Sequence, residues 1–205
     1  MKNYQQLQQA VGEWSLANFG RQPSRCLTVP LPELTEKEAK RGKKQHAHGI
    51  SVNLESLAPL MGVVEEVGEL FESSKEADIK DAVGDIFIYL CDFSFRENCK
   101  LPIGVDSLGE DIDEKHGPEK SLIVYVGKLH HCMLKRHQGI RGYDDDDKFK
   151  GERIKLLYQL LGQLERFVKE TLPKTNLLQI ANETWNKIVS KRDWKKDPKT
   201  GQKKK

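Results

Sequence analysis

Apolar residues return at every third or fourth position through most of this chain. That period commits the backbone to amphipathic helices, because strands alternate with a period of two. Leu7, Ala10, Val11, Trp14 and Ala17 predict a helix from Tyr4 to Asn18, ended near Gly20 and Pro23. Leu57, Leu60, Met61, Val64 and Phe71 mark one side of a second helix, from about Leu57 to Ser74. Ile79, Val83, Ile86, Leu90 and Phe93 mark a third, from about Asp78 to Asn98. Three more are expected at Ser121 to Gln138, Glu152 to Thr171 and Leu177 to Ser190. No strand is expected: the aliphatic run Ile86 to Leu90 continues the helical period and lacks bounding turn residues. The fold class is therefore all-α, a helical bundle.

Between the first two helices, residues 21–56 carry Pro23, Pro30 and Pro32, the basic run Lys40 to Lys44, and His46-Ala47-His48. So long a connection reads as a functional lid or a disordered segment. A loop rich in Gly, Pro and acids, Pro102 to Pro118, suggests a division into an N-terminal half (1–101), a linker (102–120), a second helical half (121–194) and a basic tail (195–205). The halves echo one another. Val67-Gly68-Glu69-Leu70 is matched by Val126-Gly127-Lys128-Leu129, and Gly84-Asp85-Ile86 by Gly162-Gln163-Leu164. A glycine inside a helix costs about 1 kcal/mol against alanine, so its recurrence predicts close helix contacts in both copies of a helical hairpin, an internal pseudo-dimer. Chance similarity between amphipathic helices is the competing explanation.

The second copy has no acids where the first has them: Glu65, Glu66 and Glu69 align with Val124, Tyr125 and Lys128, and Asp81 and Asp85 with Gln159 and Gln163. At about 100° per residue, Glu65, Glu66 and Glu69 share roughly a 100° sector of their helix, and Asp81, Asp85 and Asp92 fall within about 40° on theirs. A tight turn near Lys75 makes the two helices antiparallel, so the acidic faces can meet. Carboxylates set against apolar faces call for protonation, basic partners or a bound cation. An all-oxygen pocket suits Mg2+, with Mn2+ as the alternative, and Mg2+ readily takes oxygens from a polyphosphate. The opposing reading is a solvated acidic surface paired with Lys75 and Lys80.

Glu66-x-x-Glu69 followed by Asp81-Ala82-Val83-Gly84-Asp85-Ile86 resembles the metal-binding signature of the MazG-like nucleotide pyrophosphohydrolases, in the all-alpha NTP pyrophosphatase superfamily. Trp14 to Phe19, Pro59 to Leu70, Ile79 to Asp92, Leu134 to Gly142 and Thr184 to Trp194 also resemble phage and bacterial members. The resemblance implies Mg2+-dependent hydrolysis of nucleoside or deoxynucleoside triphosphates to monophosphate and pyrophosphate. Glu66, Glu69, Asp81 and Asp85 would be the metal ligands, with Glu65 orienting the attacking water. One position departs from the pattern: much of the superfamily has glutamate where this chain has Ala82, and Asp81, four residues before Asp85, takes its face. That departure leaves a second outcome open, a non-catalytic nucleotide-binding or protein-interaction bundle.

Further residues admit two readings each. Lys135, Arg136, His137 and Arg141 form a basic segment, either a substrate-phosphate loop or a solvated one. Trp14 can stack on a base or fill the core, and Asp92 can read a base or lie exposed. Asp144 to Asp147 and Lys148 read as a mobile loop, and the adjacent His130, His131 and Cys132 splay apart on a helix, against a zinc site. Cys26, Cys91, Cys99 and Cys132 lack metal or scaffold spacing and are expected as reduced thiols, several in the core.

The formal charge is only +3, and much of it sits in the terminal lysines from Lys195 onward, expected as a solvated, disordered tail, so nucleic acid is not the expected partner. No apolar run reaches the roughly 20 residues of a membrane span, and the polar start Met1 to Ala10 is unlike a signal peptide. A cytoplasmic protein is expected, either a monomeric pseudo-dimer or a homodimer.

Overall fold

The computed structural model of the protein describes residues 1–20, 25–27, 50–52, 54–104, 116–140, 142–143 and 145–191. Among these, six α-helices carry the fold: α1 (Tyr4–Phe19), α2 (Leu57–Glu72), α3 (Glu76–Arg96), α4 (Pro118–Gln138), α5 (Asp146–Thr171) and α6 (Leu177–Lys191). The architecture is an all-α bundle, as the periodicity demands. A 3-10 turn, Leu54–Ser56, leads into α2.

Two features of the chain escaped the helical period. Arg25–Leu27 (β1) pairs antiparallel with Ile50–Val52 (β2), Arg25 opposite Val52 and Leu27 opposite Ile50. Three residues per strand are too few for a period of two to show. The acidic run before Lys148 is no mobile loop where it is described: the Asp145 side chain accepts a hydrogen bond from the Lys148 amide at 2.9 Å and caps α5, which starts six residues before Glu152. Asp146 and Asp147 then lie at the positive end of the helix dipole.

One continuous core draws on all six helices, with Leu7, Leu60, Val83, Phe87, Leu129, Leu157 and Leu177 among its buried members. Within α2 the buried stripe is Leu60, Val63, Val67 and Leu70, whereas Met61, Val64 and Phe71, expected on the same side as Leu60, are exposed. Apolar residues surround most of this helix, so the period alone could not choose its inner face. Cys91, Cys99 and Cys132 are free and buried, as expected of core thiols, and Cys26 lies outside the residues whose side chains are described.

The last helix crosses the division drawn from sequence, since α6 packs along α3 and also touches α1. Gly84 permits this contact: a β-carbon there would lie 2.0 Å from Thr184 Oγ1. Trp14 of α1 meets Trp185 edge to face at 5.8 Å. Gly68 and Gly127, the matched pair of the two halves, make no close contact among the described residues, for none of these lies within 4 Å of a β-carbon built at either. No described helix is long and apolar enough to cross a membrane.

Candidate functional site

The link Ser73 to Lys75 is too short to let α2 and α3 do anything but double back on each other. Their inner stripes pack into the core, and the edges beside those stripes face one another across an open cleft of about 440 Å³. Glu66, Glu69 and Glu72 line it from α2, and Asp78, Asp81 and Asp85 from α3, together with Ser73, Ser74, Lys75 and Ala82. Glu66, Glu69, Asp81 and Asp85 thus share one cleft. Glu65 is exposed and outside the lining, though its charge still bears on Glu66.

Glu66 registers the crowding. Burial, and then the negative charges of Asp85, Glu69, Glu65 and Asp81, push its carboxyl up from 4.5 to about 7. A group in that position relaxes by taking a proton or by receiving a cation. The donors are hard carboxylate oxygens, which fit Mg2+ or Mn2+ and not a thiolate- or imidazole-seeking metal. Among the described residues, no three His, Cys, Asp or Glu side chains are drawn together into a group that could already hold a metal ion. Repulsion between bare carboxylates opposes such closure, and Asp81 is engaged elsewhere.

Its partner is Lys187 of α6, whose ammonium donates to Asp81 Oδ1 at 2.9 Å. The hydrogen bond and charge of Asp81, then Asp85 and Glu183, hold Lys187 above its ordinary range. Since Thr184 sits at Gly84 and Lys187 at Asp81, α6 runs antiparallel to α3 and brings one cation to the rim of the acidic cleft. The residue pattern gave no sign of Lys187. Its only local signal is the three-residue spacing from Thr184, which has meaning once the α3–α6 contact is known.

A comparison with family models, curated proteins and solved structures finds no match for this chain.

None of the remaining described residues singled out from sequence lines the acidic cleft. Ser15 Oγ donates to Asp92 at 2.8 Å, and Arg96 pairs with the same carboxylate at 2.8 Å. Burial holds the Asp92 carboxyl above its usual range in spite of both partners. Asp92 lines a second cleft, of about 300 Å³, with Phe19, Pro59, Tyr89 and Arg96. Trp14 is partly buried, with Phe19 at 5.7 Å on one side and Trp185 on the other, a core setting.

Arg136 is buried, pairs with Asp146 and donates to the Tyr143 carbonyl at 2.8 Å. It lines a third cleft with Arg96, Glu97, Phe149, Lys150 and Arg153. Glu97 stands 12 residues beyond Asp85, about 18 Å along the axis of α3, so Arg136 belongs to the opposite end of the hairpin. Lys135 bonds Gln138 at 2.9 Å, and Arg141 lies outside the described residues. His130 Nδ1 pairs with the Val126 carbonyl at 2.8 Å while His131 is exposed and Cys132 buried, the splay expected from sequence. Gln163, aligned with Asp85, is fully buried, so the second half presents no acid at that position.

Proposed function

We propose that the acidic cleft between α2 and α3 binds a divalent cation and that the protein hydrolyses nucleoside or deoxynucleoside triphosphates to monophosphate and pyrophosphate. The observation that carries this reading is the convergence of Glu66, Glu69, Asp81 and Asp85, from two helices, on one cleft where Glu66 is raised to about 7. The MazG-like resemblance of the same residues supplies the reaction type.

Glu66, Glu69, Asp85 and Asp81 would hold Mg2+ or Mn2+, which supplies charge neutralisation at phosphate oxygens and acidifies water. Glu65, exposed and outside the cleft lining, would orient the attacking water in this reading. Lys187, freed when Asp81 turns to the cation, offers a positive charge for the departing pyrophosphate. The second cleft starts at Tyr89, one turn or about 6 Å beyond Asp85, and its apolar Phe19 and Pro59 with Asp92 suit the nucleoside end of the substrate. A cytoplasmic location belongs to the same reading.

The test is pyrophosphate release from each common NTP and dNTP in Mg2+ and in Mn2+. Turnover that Glu69→Gln abolishes supports the assignment; equal rates with and without the substitution refute it. One observation favours a non-catalytic nucleotide-binding bundle instead: Ala82 contributes no carboxylate, and Asp81 is already neutralised by Lys187. Calorimetry that finds nucleotide binding in Mg2+ without turnover selects that alternative.

A further inference from the structure

Arg136 of α4 and Arg153 of α5 are both buried, and both guanidinium groups lie against the ring of Phe149, at 5.0 and 4.8 Å from its centroid. Like charges brought so close out of water repel, so something must compensate them. With Lys150 and Asn98 they line the third cleft, of about 280 Å³, at the end of the α2–α3 hairpin opposite the acids. Asp146, Phe149, Lys150 and Arg153 form its α5 wall, at the three- and four-residue spacing of a single helix face.

Ion pairs within the chain account for part of this arrangement. Arg136 pairs with Asp146, while Arg153 pairs with the Glu97 carboxylate and donates to the Glu97 carbonyl at 3.1 Å. Those contacts tie α4, α5 and the end of α3 together, and they leave donors over. Arg153 is 5% exposed, yet its Nε has no hydrogen-bond partner among the described residues. The Lys150 ammonium and the Asn98 side-chain amide, on exposed residues of the same cleft, also lack a partner among the described residues. A buried guanidinium N–H without an acceptor is costly, and a second cation and an amide with unused donors stand beside it.

The carboxylates of the cleft discriminate among anions. Asp146 is largely exposed, and its Oδ1 is the atom paired with Arg136. A fully ionised anion such as sulfate can only accept hydrogen bonds, so Asp146 repels it. A phosphate that keeps one proton donates that P–OH to the carboxylate, while its other oxygens accept from Arg153, Lys150 and Asn98.

The geometry points to a binding site for a singly protonated phosphate group, carried by the free ion or by a phosphomonoester, between the end of α3 and the first two turns of α5. It shares no residue with the acidic cleft and does not depend on the reaction proposed there.

Calorimetric titration of the full chain tests this, in a chelator that removes metal-bridged phosphate from the acidic cleft, and at about pH 6, where a phosphomonoester retains part of its second proton. Inorganic phosphate, a nucleoside monophosphate and sulfate are the probes. Phosphate should bind with a Kd of about 1 mM or less, and sulfate at least about tenfold more weakly. Whichever of free phosphate and monophosphate binds tighter identifies the source of the group. Lys150→Gln, at an exposed position with no described partner to lose, should weaken phosphate binding about fivefold. Asp146→Asn replaces an acceptor with an amide and should bring sulfate to within about twofold of phosphate, a ratio that a residue serving only to pair Arg136 would not move. The inference is overturned if neither phosphate nor monophosphate shows saturable binding by about 10 mM, if the parent binds phosphate and sulfate equally, or if Lys150→Gln binds as tightly as the parent.

Discussion

Replacing Glu66 by glutamine should make the metal-free protein more stable, and only at a pH where the carboxylate would be charged. The folded protein raises this carboxyl from 4.5 to about 7, chiefly by burial and then by the charge of Asp85. The native state therefore binds this proton more tightly than the unfolded chain does. Its stability is undiminished below about pH 4.5 and falls as the pH rises through 7. At 1.36 kcal/mol per tenfold change in proton affinity, the span from 4.5 to about 7 corresponds to about 3 kcal/mol. The side chain is only half-buried, and solvent screening reduces this to about 1 kcal/mol. Glutamine keeps the shape and cannot ionise. Thermal unfolding in a chelator should place Glu66→Gln about 2–4 °C above the parent at pH 8 and level with it at pH 4. Mg2+ should reverse the order: at a hundredfold excess over its Kd it stabilises the parent by about 2.7 kcal/mol. The variant, lacking one ligand, should gain far less. A variant less stable than the parent at pH 8 without metal would refute the electrostatic reading, and a parent indifferent to Mg2+ would refute the cation.

Three more outcomes follow from particular contacts. Lys187→Met, which releases Asp81, should tighten Mg2+ binding in the absence of nucleotide about two- to fivefold by calorimetry, the range of an exposed ion pair. Gly84→Ala should lose about 1–3 kcal/mol in urea unfolding, because its β-carbon would overlap Thr184, and Thr184→Ala in the same chain should restore part of the loss. Arg153→Met strips Glu97 of its buried partner and should cost about 3–5 kcal/mol at pH 8. Burial already holds the Glu97 carboxyl high, so that cost should shrink as the pH falls and the group takes a proton.

Local pattern was enough to reveal the helices and the acids. Helical period fixed α1, α2 and α6 to within two residues, because a 3.6-residue repeat is a property of neighbours along the chain and needs no knowledge of what they pack against. Glu66, Glu69, Asp81 and Asp85 were legible for the same reason: angular position on a helix follows from residue number, and a short turn forces the two faces together. Tertiary structure decided the rest. Which side of α2 is buried depends on the shape of α3, so Met61, Val64 and Phe71 turned outward although their hydrophobicity matches that of Leu60. Arg136, read from sequence as part of either a substrate-phosphate loop or a solvated one, is instead buried against Asp146 at the Glu97 end of the bundle. Lys187 reached Asp81 across 106 positions only because Gly84 lets α6 lie close on α3. Charges distant in sequence meet through such packing, and no local repeat can encode it.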